Sequence, residues 1–298
     1  YTGKPPVHGV CPGVTKEGYI QSLPQVTAAT TSGKWSKKAL QDYFDNTWTM
    51  TEVLLGSLQG EEAFIRSPYH ELRHPMIFYY GHPAVLYINK LRVAGFIKDP
   101  INPYFESVFE TGVDEMSWDD LSKNKMAWPS VAEVQQYRAK VYETVTNVIA
   151  NLTDEHLSST GPESPLWSIL MGFEHERIHI ETSSVLINEL PVKYVQFPKG
   201  MPPYHPSVPK NGSPLEPVPG KDYPVNEMIE VEGRTVAVGK DKNLPSFGWD
   251  NEYGYREFTI PSFRASKFKI SNGEYLEFVK DNGYARQEFW SEDGWKWR

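Results

Sequence analysis

Between residues 36 and 191, apolar residues return at helical spacing in four separate runs, and this periodicity constrains the fold more than any other feature of the chain. The first run spans about Ser36 to Leu58. Leu40, Tyr43, Phe44, Trp48, Leu55 and Leu58 share its apolar side, and Ser36 is a natural N-cap. The second opens on Pro75, a favoured first helical residue, and carries Ile77, Phe78, Val85, Leu86 and Ile88 to about Val93. The third opens with Ser130-Val131-Ala132-Glu133, a capping box, and continues to about Asn151 with Val134, Tyr137, Val141, Val145 and Val148 as its buried stripe. The fourth starts at Ser164-Pro165 and stops at Pro191. A long connection, about 98–129, separates the second run from the third. Four amphipathic helices with one long crossover predict a four-helix bundle, a fold that builds metal sites between facing helices.

The flanks read differently. Residues 1–34, rich in Gly, Pro, Thr and Ser, predict an extended arm, which leaves the bundle as 35–197. Residues 198–224 hold nine prolines and little apolar periodicity, so they read as a linker. Beyond them, "MIEVEGRTVAVG" and "REFTIPSFRASKFKIS" alternate like strands, and "NGEYLEFVKDNGY" reads as a short helix ending at Gly283. The expected class is therefore multi-domain, α followed by α+β. The last segment, 225–298, is read as the N-terminal part of a domain that continues further.

Composition narrows the function. The 298 residues carry a net charge of -8, and no basic run exceeds Lys37-Lys38, which argues against nucleic acid or an anionic membrane as partner. No apolar stretch approaches the roughly 20 residues that span a bilayer. Cys11 is the single cysteine, so an intrachain disulfide and a cysteine-rich metal site are both excluded, and a cytoplasmic location is expected. Any metal must be held by His, Asp or Glu.

The segment "GFEHERIHIETSS" (172–184) in the fourth helix offers such ligands. At about 100° per residue, His175 and His179 lie about 40° apart on one face and can share a metal. Glu181 lies about 200° from His179 and about 240° from His175, so it points elsewhere. His175-Glu176-Arg177-Ile178-His179 also spells the H-E-x-x-H of zinc proteases. The extended form of that motif fails, because Ser183 and Leu186 stand at its Gly and final His positions. Glu174, Glu176 and Arg177 are expected to form the solvated face of this helix. The third ligand should come from a facing helix. His82, beside Gly81 in "YYGHPAVLY", is the best candidate, ahead of His74 and His70. Three neutral imidazoles with open positions suit Fe(II), Zn(II) or Cu alike.

Longer matches go beyond this. "FDNTWTMTEVLLGSLQGEEAF" (44–64), "LRHPMIFYYGHPAVLYINKL" (72–91), "FESVFETGVDEMSWDDL" (105–121) and "GFEHERIHIETSSVLI" (172–187) together resemble the 5-histidylcysteine sulfoxide synthases of the ovothiol pathway. "FGWDNEYG", "FKISNGEYLEFVKDNGY" and "FWSEDGWKWR" look like the start of a formylglycine-generating-enzyme-like (C-type-lectin-like) domain, which that family places after a DinB-like four-helix bundle. The resemblance covers nearly the whole chain. It implies a mononuclear non-haem Fe(II) enzyme with His82, His175 and His179 as ligands and O2 as co-substrate. Its substrates would be L-cysteine and L-histidine, joined through a C–S bond with sulfoxidation. A family tyrosine used in the oxidation would lie beyond residue 298. The related ergothioneine-pathway synthases carry Gln before the second His of the pair. Ile178 stands there in this chain, which implies histidine rather than trimethylhistidine as acceptor.

Two other readings remain at this stage. One is a zinc-dependent thiol transferase on the same bundle, and the other is a metal-binding scaffold. Asp114, Glu115, Trp118 and Asp119 in the long connection are equally readable as substrate contacts or as solvated acids around a core Trp.

Overall fold

The computed structural model describes residues 1–29, 32–68, 73–110, 127–159, 161–204 and 216–298. The four predicted helices are present. α1 spans Lys37–Leu55, its first turn capped by the Ser36 hydroxyl, which accepts from the Ala39 amide. A short α2 (Glu62–Ile65) precedes α3 (Met76–Val93). α4 (Pro103–Val108) follows the Asn102 cap, whose side chain accepts from two backbone amides. α5 (Val131–Ala150) opens with the capping box Ser130/Glu133, and α6 (Asp154–Ser158) leads to α7 (Trp167–Asn188). α3 packs on α5 and α7, and α1 packs on the same two, so the long helices close a ring around one core.

Phe44, Trp48, Tyr87 and Phe173 fill the centre with ring centroids 5.4 to 6.2 Å apart. The buried stripe of α5 is Val134, Tyr137, Arg138, Val141, Val145 and Ile149. Ile149 replaces the expected Val148 because the spacing of 3.6 residues per turn, followed from Val141 and Val145, lands on it.

The arm at 1–29 lies on the bundle. Cys11, Val14 and Ile20 pack with Val53 of α1. Asn46 Nδ2 donates to the Pro12 and Gln21 carbonyls. Residues 241–250, read from sequence as part of the last segment, also belong to this unit. Phe247 is buried with its ring 5.0 Å from Trp167, and Ala28 N–H donates to the Pro245 carbonyl. An apolar ring in a turn-rich stretch carries no periodicity that would announce such a docking.

The second unit comprises 203–240 and 251–298. Its strands are β1 (Met228–Val231), β2 (Arg234–Val238), β3 (Arg256–Ile260) and β4 (Phe263–Ser266). β1 pairs antiparallel with β4, and β2 with β3. The two ladders share one register, so they read as a single twisted ribbon interrupted at Gly233, where a Cβ would meet the Ser262 amide at 2.7 Å. α8 (Asn272–Lys280) starts on a second capping box, Ser271/Glu274, and α9 (Glu292–Trp297) follows. Among the described residues, no helix is long and apolar enough to cross a membrane.

Candidate metal centre

His82 leaves α3, and His175 and His179 leave α7, toward one point. Among the described residues they form the group whose ligand atoms lie within 4.8 Å of one another. His175 Nε2 is 3.2 Å from His82 Nε2 and 3.1 Å from His179 Nε2. For metal–nitrogen bonds of about 2.1 Å, donors at right angles lie about 3.0 Å apart and tetrahedral donors about 3.4 Å apart. Both of these pairs fall between the limits, and the third pair lies within 4.8 Å, so the residues present fit a divalent ion with three imidazole ligands after a small closing movement.

Two glycines set this geometry. A Cβ on Gly172 would meet the Tyr87 ring at 2.3 Å, so α7 can approach α3 only with glycine there. A Cβ on Gly81 would meet Phe109 at 2.8 Å. Phe109, just past α4, is completely buried, and its carbonyl accepts from His82 Nδ1 at 2.6 Å. A carbonyl can only accept, so the proton sits on Nδ1 and the Nε2 lone pair faces the other two rings. Phe78, one turn before His82, stacks on it at 4.8 Å and 21°. The Nδ1 atoms of His175 and His179 are buried with no hydrogen-bond partner, so only one ring of the three is anchored from behind.

Burial keeps the rings neutral. Desolvation pulls His82 down to about 4, with its neighbour His74 adding to the fall and the Phe109 bond opposing it. His179 is pulled down to about 3 by burial, then by His82 and Arg73. His175 falls furthest, through burial and both partner rings. Three neutral imidazoles at neutral pH present lone pairs to a cation with no proton to displace.

The expected ligands are thus brought together, and Glu181 is exposed, as the helical angle requires. His74 is close but outside the triad, its ring tilted against Phe78 at 4.4 Å. His70, Asp114, Glu115, Trp118 and Asp119 lie outside the described residues.

One expectation fails. Glu176, expected on a solvated face with Glu174 and Arg177, is fully buried. Its Oε2 accepts from Tyr87 OH at 2.9 Å, and its Oε1 lies 3.5 Å from Arg138 Nη2. Burial pushes its carboxyl above the ordinary value, against the pull of Arg138. Arg138 is itself fully buried, donates Nε to Glu52 Oε1 at 2.9 Å, and lies 4.0 Å over the Trp48 ring. A cation inside the bundle requires carboxylates around it, and α7 supplies one from the side next to the histidines, about 60° round from His179 and about 100° from His175. Glu174 accepts from Tyr43 OH, and Arg177 donates to Thr47, Asn46 and Ser22. The Glu of H-E-x-x-H is therefore committed to Arg138 and cannot serve as a protease base. The signal for this network was available in the sequence: an arginine on the apolar stripe of α5.

The comparisons agree on class first. Residues 43–183, which hold most of the helical segment, match the model of the DinB superfamily. Over 251 residues the chain is 26% identical to Ergothioneine biosynthesis protein 1 of Neurospora crassa, covering 80% of this chain and 27% of that protein. The protein of the same name from Schizosaccharomyces pombe is 28% identical over 239 residues, 70% of this chain and 29% of its own. Hercynine oxygenase of Mycolicibacterium smegmatis is 23% identical over 247 residues, 83% of this chain and 52% of its own. The chain spans between 27 and 52% of the length of these relatives.

Proposed function

We propose that this chain carries the metal-binding half of an O2-dependent sulfoxide synthase, joining cysteine to the imidazole ring of histidine. His82, His175 and His179 are the ligands. The observation that carries the reading is the convergence of three neutral imidazoles, one buried and two half-buried, whose ligand atoms lie within 4.8 Å of one another, supported by likeness to proteins named for ergothioneine biosynthesis and hercynine oxygenation. Residues 225–298 fit, in this reading, as the start of the formylglycine-generating-enzyme-like domain.

Bound Fe(II) would supply a redox-active centre for the thiolate and O2. The chain's part is positional. The Phe109 carbonyl holds the proton of His82 away from the ion, and burial keeps all three rings unprotonated. Three neutral ligands leave the ion's positive charge uncompensated, which favours an anionic thiolate. The overall reaction balances. One S–H and one ring C–H are lost, one C–S bond and one S–O bond form, and O2 accepts four electrons, giving one atom to the sulfoxide and one to water.

A second acceptor has support of its own. The relative named hercynine oxygenase favours trimethylhistidine, against Ile178, which favours histidine. The decisive experiment uses the full-length protein loaded with Fe(II) under argon, given cysteine with either acceptor and then O2, with product read by mass. A cysteine–histidine adduct carrying one added oxygen is expected, lost together with bound iron in His82→Ala of unchanged circular dichroism. Adduct with trimethylhistidine alone moves the protein to the ergothioneine type. Stoichiometric zinc after anaerobic purification, with no O2 consumed, overturns the synthase in favour of a thiol transferase.

A further inference from the structure

The α3–α7 seam does not end at the triad. A cavity of about 400 Å³ opens further along it, with Arg66, His74, Pro75, Leu186 and Glu189 in its wall. Pro75 lies seven residues before His82 and Leu186 seven after His179. Each is therefore within about 20° of its histidine's direction, about 10.5 Å along the helix. The path between is built of side chains that face the seam. The Tyr79 ring is 5.9 Å from His179. Thr182, seven residues after His175, has a buried hydroxyl with no hydrogen-bond partner. His74, in the cavity wall, continues through Phe78 to His82 as a ladder of rings 4.4 and 4.8 Å apart.

The wall also carries opposite charges that do not pair with each other. Arg66 rests over the Tyr194 ring at 5.1 Å, and neither Arg66 nor Glu189 enters an ion pair with a described residue. A guanidinium and a carboxylate on one small wall, above apolar Pro75 and Leu186, match the head of an α-amino acid in both charges. Guanidinium binds carboxylate through paired N–H donors, and a carboxylate binds ammonium through charge-assisted N–H bonds.

We propose that this cavity binds the zwitterionic head of the acceptor amino acid. Arg66 holds its carboxylate and Glu189 its ammonium, and its imidazole extends along the seam toward Thr182 and the triad. This assignment rests on the synthase reading and adds a choice of acceptor to it. A trimethylated nitrogen keeps its charge but has no N–H for Glu189, so the cavity favours histidine.

The test is calorimetric, on the Fe(II)-loaded protein with cysteine under argon. The probes are L-histidine, histidine methyl ester and trimethylhistidine, against wild type, Arg66→Gln and Glu189→Gln. Both positions lie at the rim of the bundle, and folding is checked by circular dichroism. Wild type should bind L-histidine more tightly than either analogue. Arg66→Gln should weaken L-histidine about tenfold and leave the methyl ester unchanged. Glu189→Gln should weaken L-histidine by a similar factor and trimethylhistidine by clearly less, since only the charge attraction and no N–H bond is lost there. Variants that bind L-histidine like wild type, or that weaken every probe equally, overturn the assignment. So does a rise in KM for cysteine alone. Product is scored in the same samples after adding O2. Product with indifferent variants removes the cavity alone. The expected binding pattern with no product removes the synthase and leaves an amino-acid site.

Discussion

The bundle and the second unit spend their apolar residues in opposite ways. In the bundle, Leu40, Phe44, Trp48, Tyr87 and Phe173 are all at most 1% exposed, and even Arg138 is sealed. In the second unit, Ile229, Val238, Phe258 and Phe263 remain between 41 and 55% exposed on a ribbon whose backbone ladder is complete. Hydrogen bonds alone can therefore complete a ribbon, but they do not make a core. The difference teaches where a metal site can be built. Three imidazoles can be desolvated only where surrounding side chains already exclude water, and among the described residues the bundle offers that.

The largest expected effect lies at Arg138. Arg138→Met leaves Glu52 and Glu176 without their cation and should cost about 3–5 kcal/mol in urea unfolding. A loss below about 1 kcal/mol would mean that water reaches these carboxylates and that the contrast between the two units is weaker than their burial indicates.

Acid tests the same contrast more gently. The triad histidines are depressed in the fold, so protons bind the unfolded chain more readily. Stability of the metal-free protein is full above about pH 6.5 and falls as pH drops below it, by up to about 1.4 kcal/mol per unit per ring. The His82 contribution levels off near 4 and that of His179 near 3. Denaturant midpoints between pH 7 and 4 check this, and His82→Gln should flatten the slope by one ring. A midpoint that stays level over this range would place the rings in water.

The smallest effect belongs to the ribbon. Phe258→Ser, on β3, should change stability by no more than about 0.5 kcal/mol. A cost above 1 kcal/mol would show that this face is covered in the protein and that the comparison holds only for the segment described.

Long periodic segments were legible in the sequence, since α1, α3, α5 and α7 all fall within a few residues of the predicted limits. So was the meeting of His82 with the α7 pair, because an i, i+4 pair on one helix face needs its third partner from a neighbour. α2, α4 and α6 were not, since four to six residues make too little periodicity to read, although Asn102-Pro103 does spell a cap. Glu176 was misread for a different reason. A helical wheel gives the direction of a side chain but not what stands there, and the answer depended on Arg138 from another helix.

The placement of Cys11 has a practical side. The chain's one thiol is 3% exposed, pinned under its own arm against Val53, and burial holds it in the protonated form. Since thiolate is the reactive species, a disulfide such as cystine in the surrounding solution finds little to exchange with while the arm is docked. The rate at which a maleimide marks Cys11 is therefore a clock for arm release, readable without any engineered label.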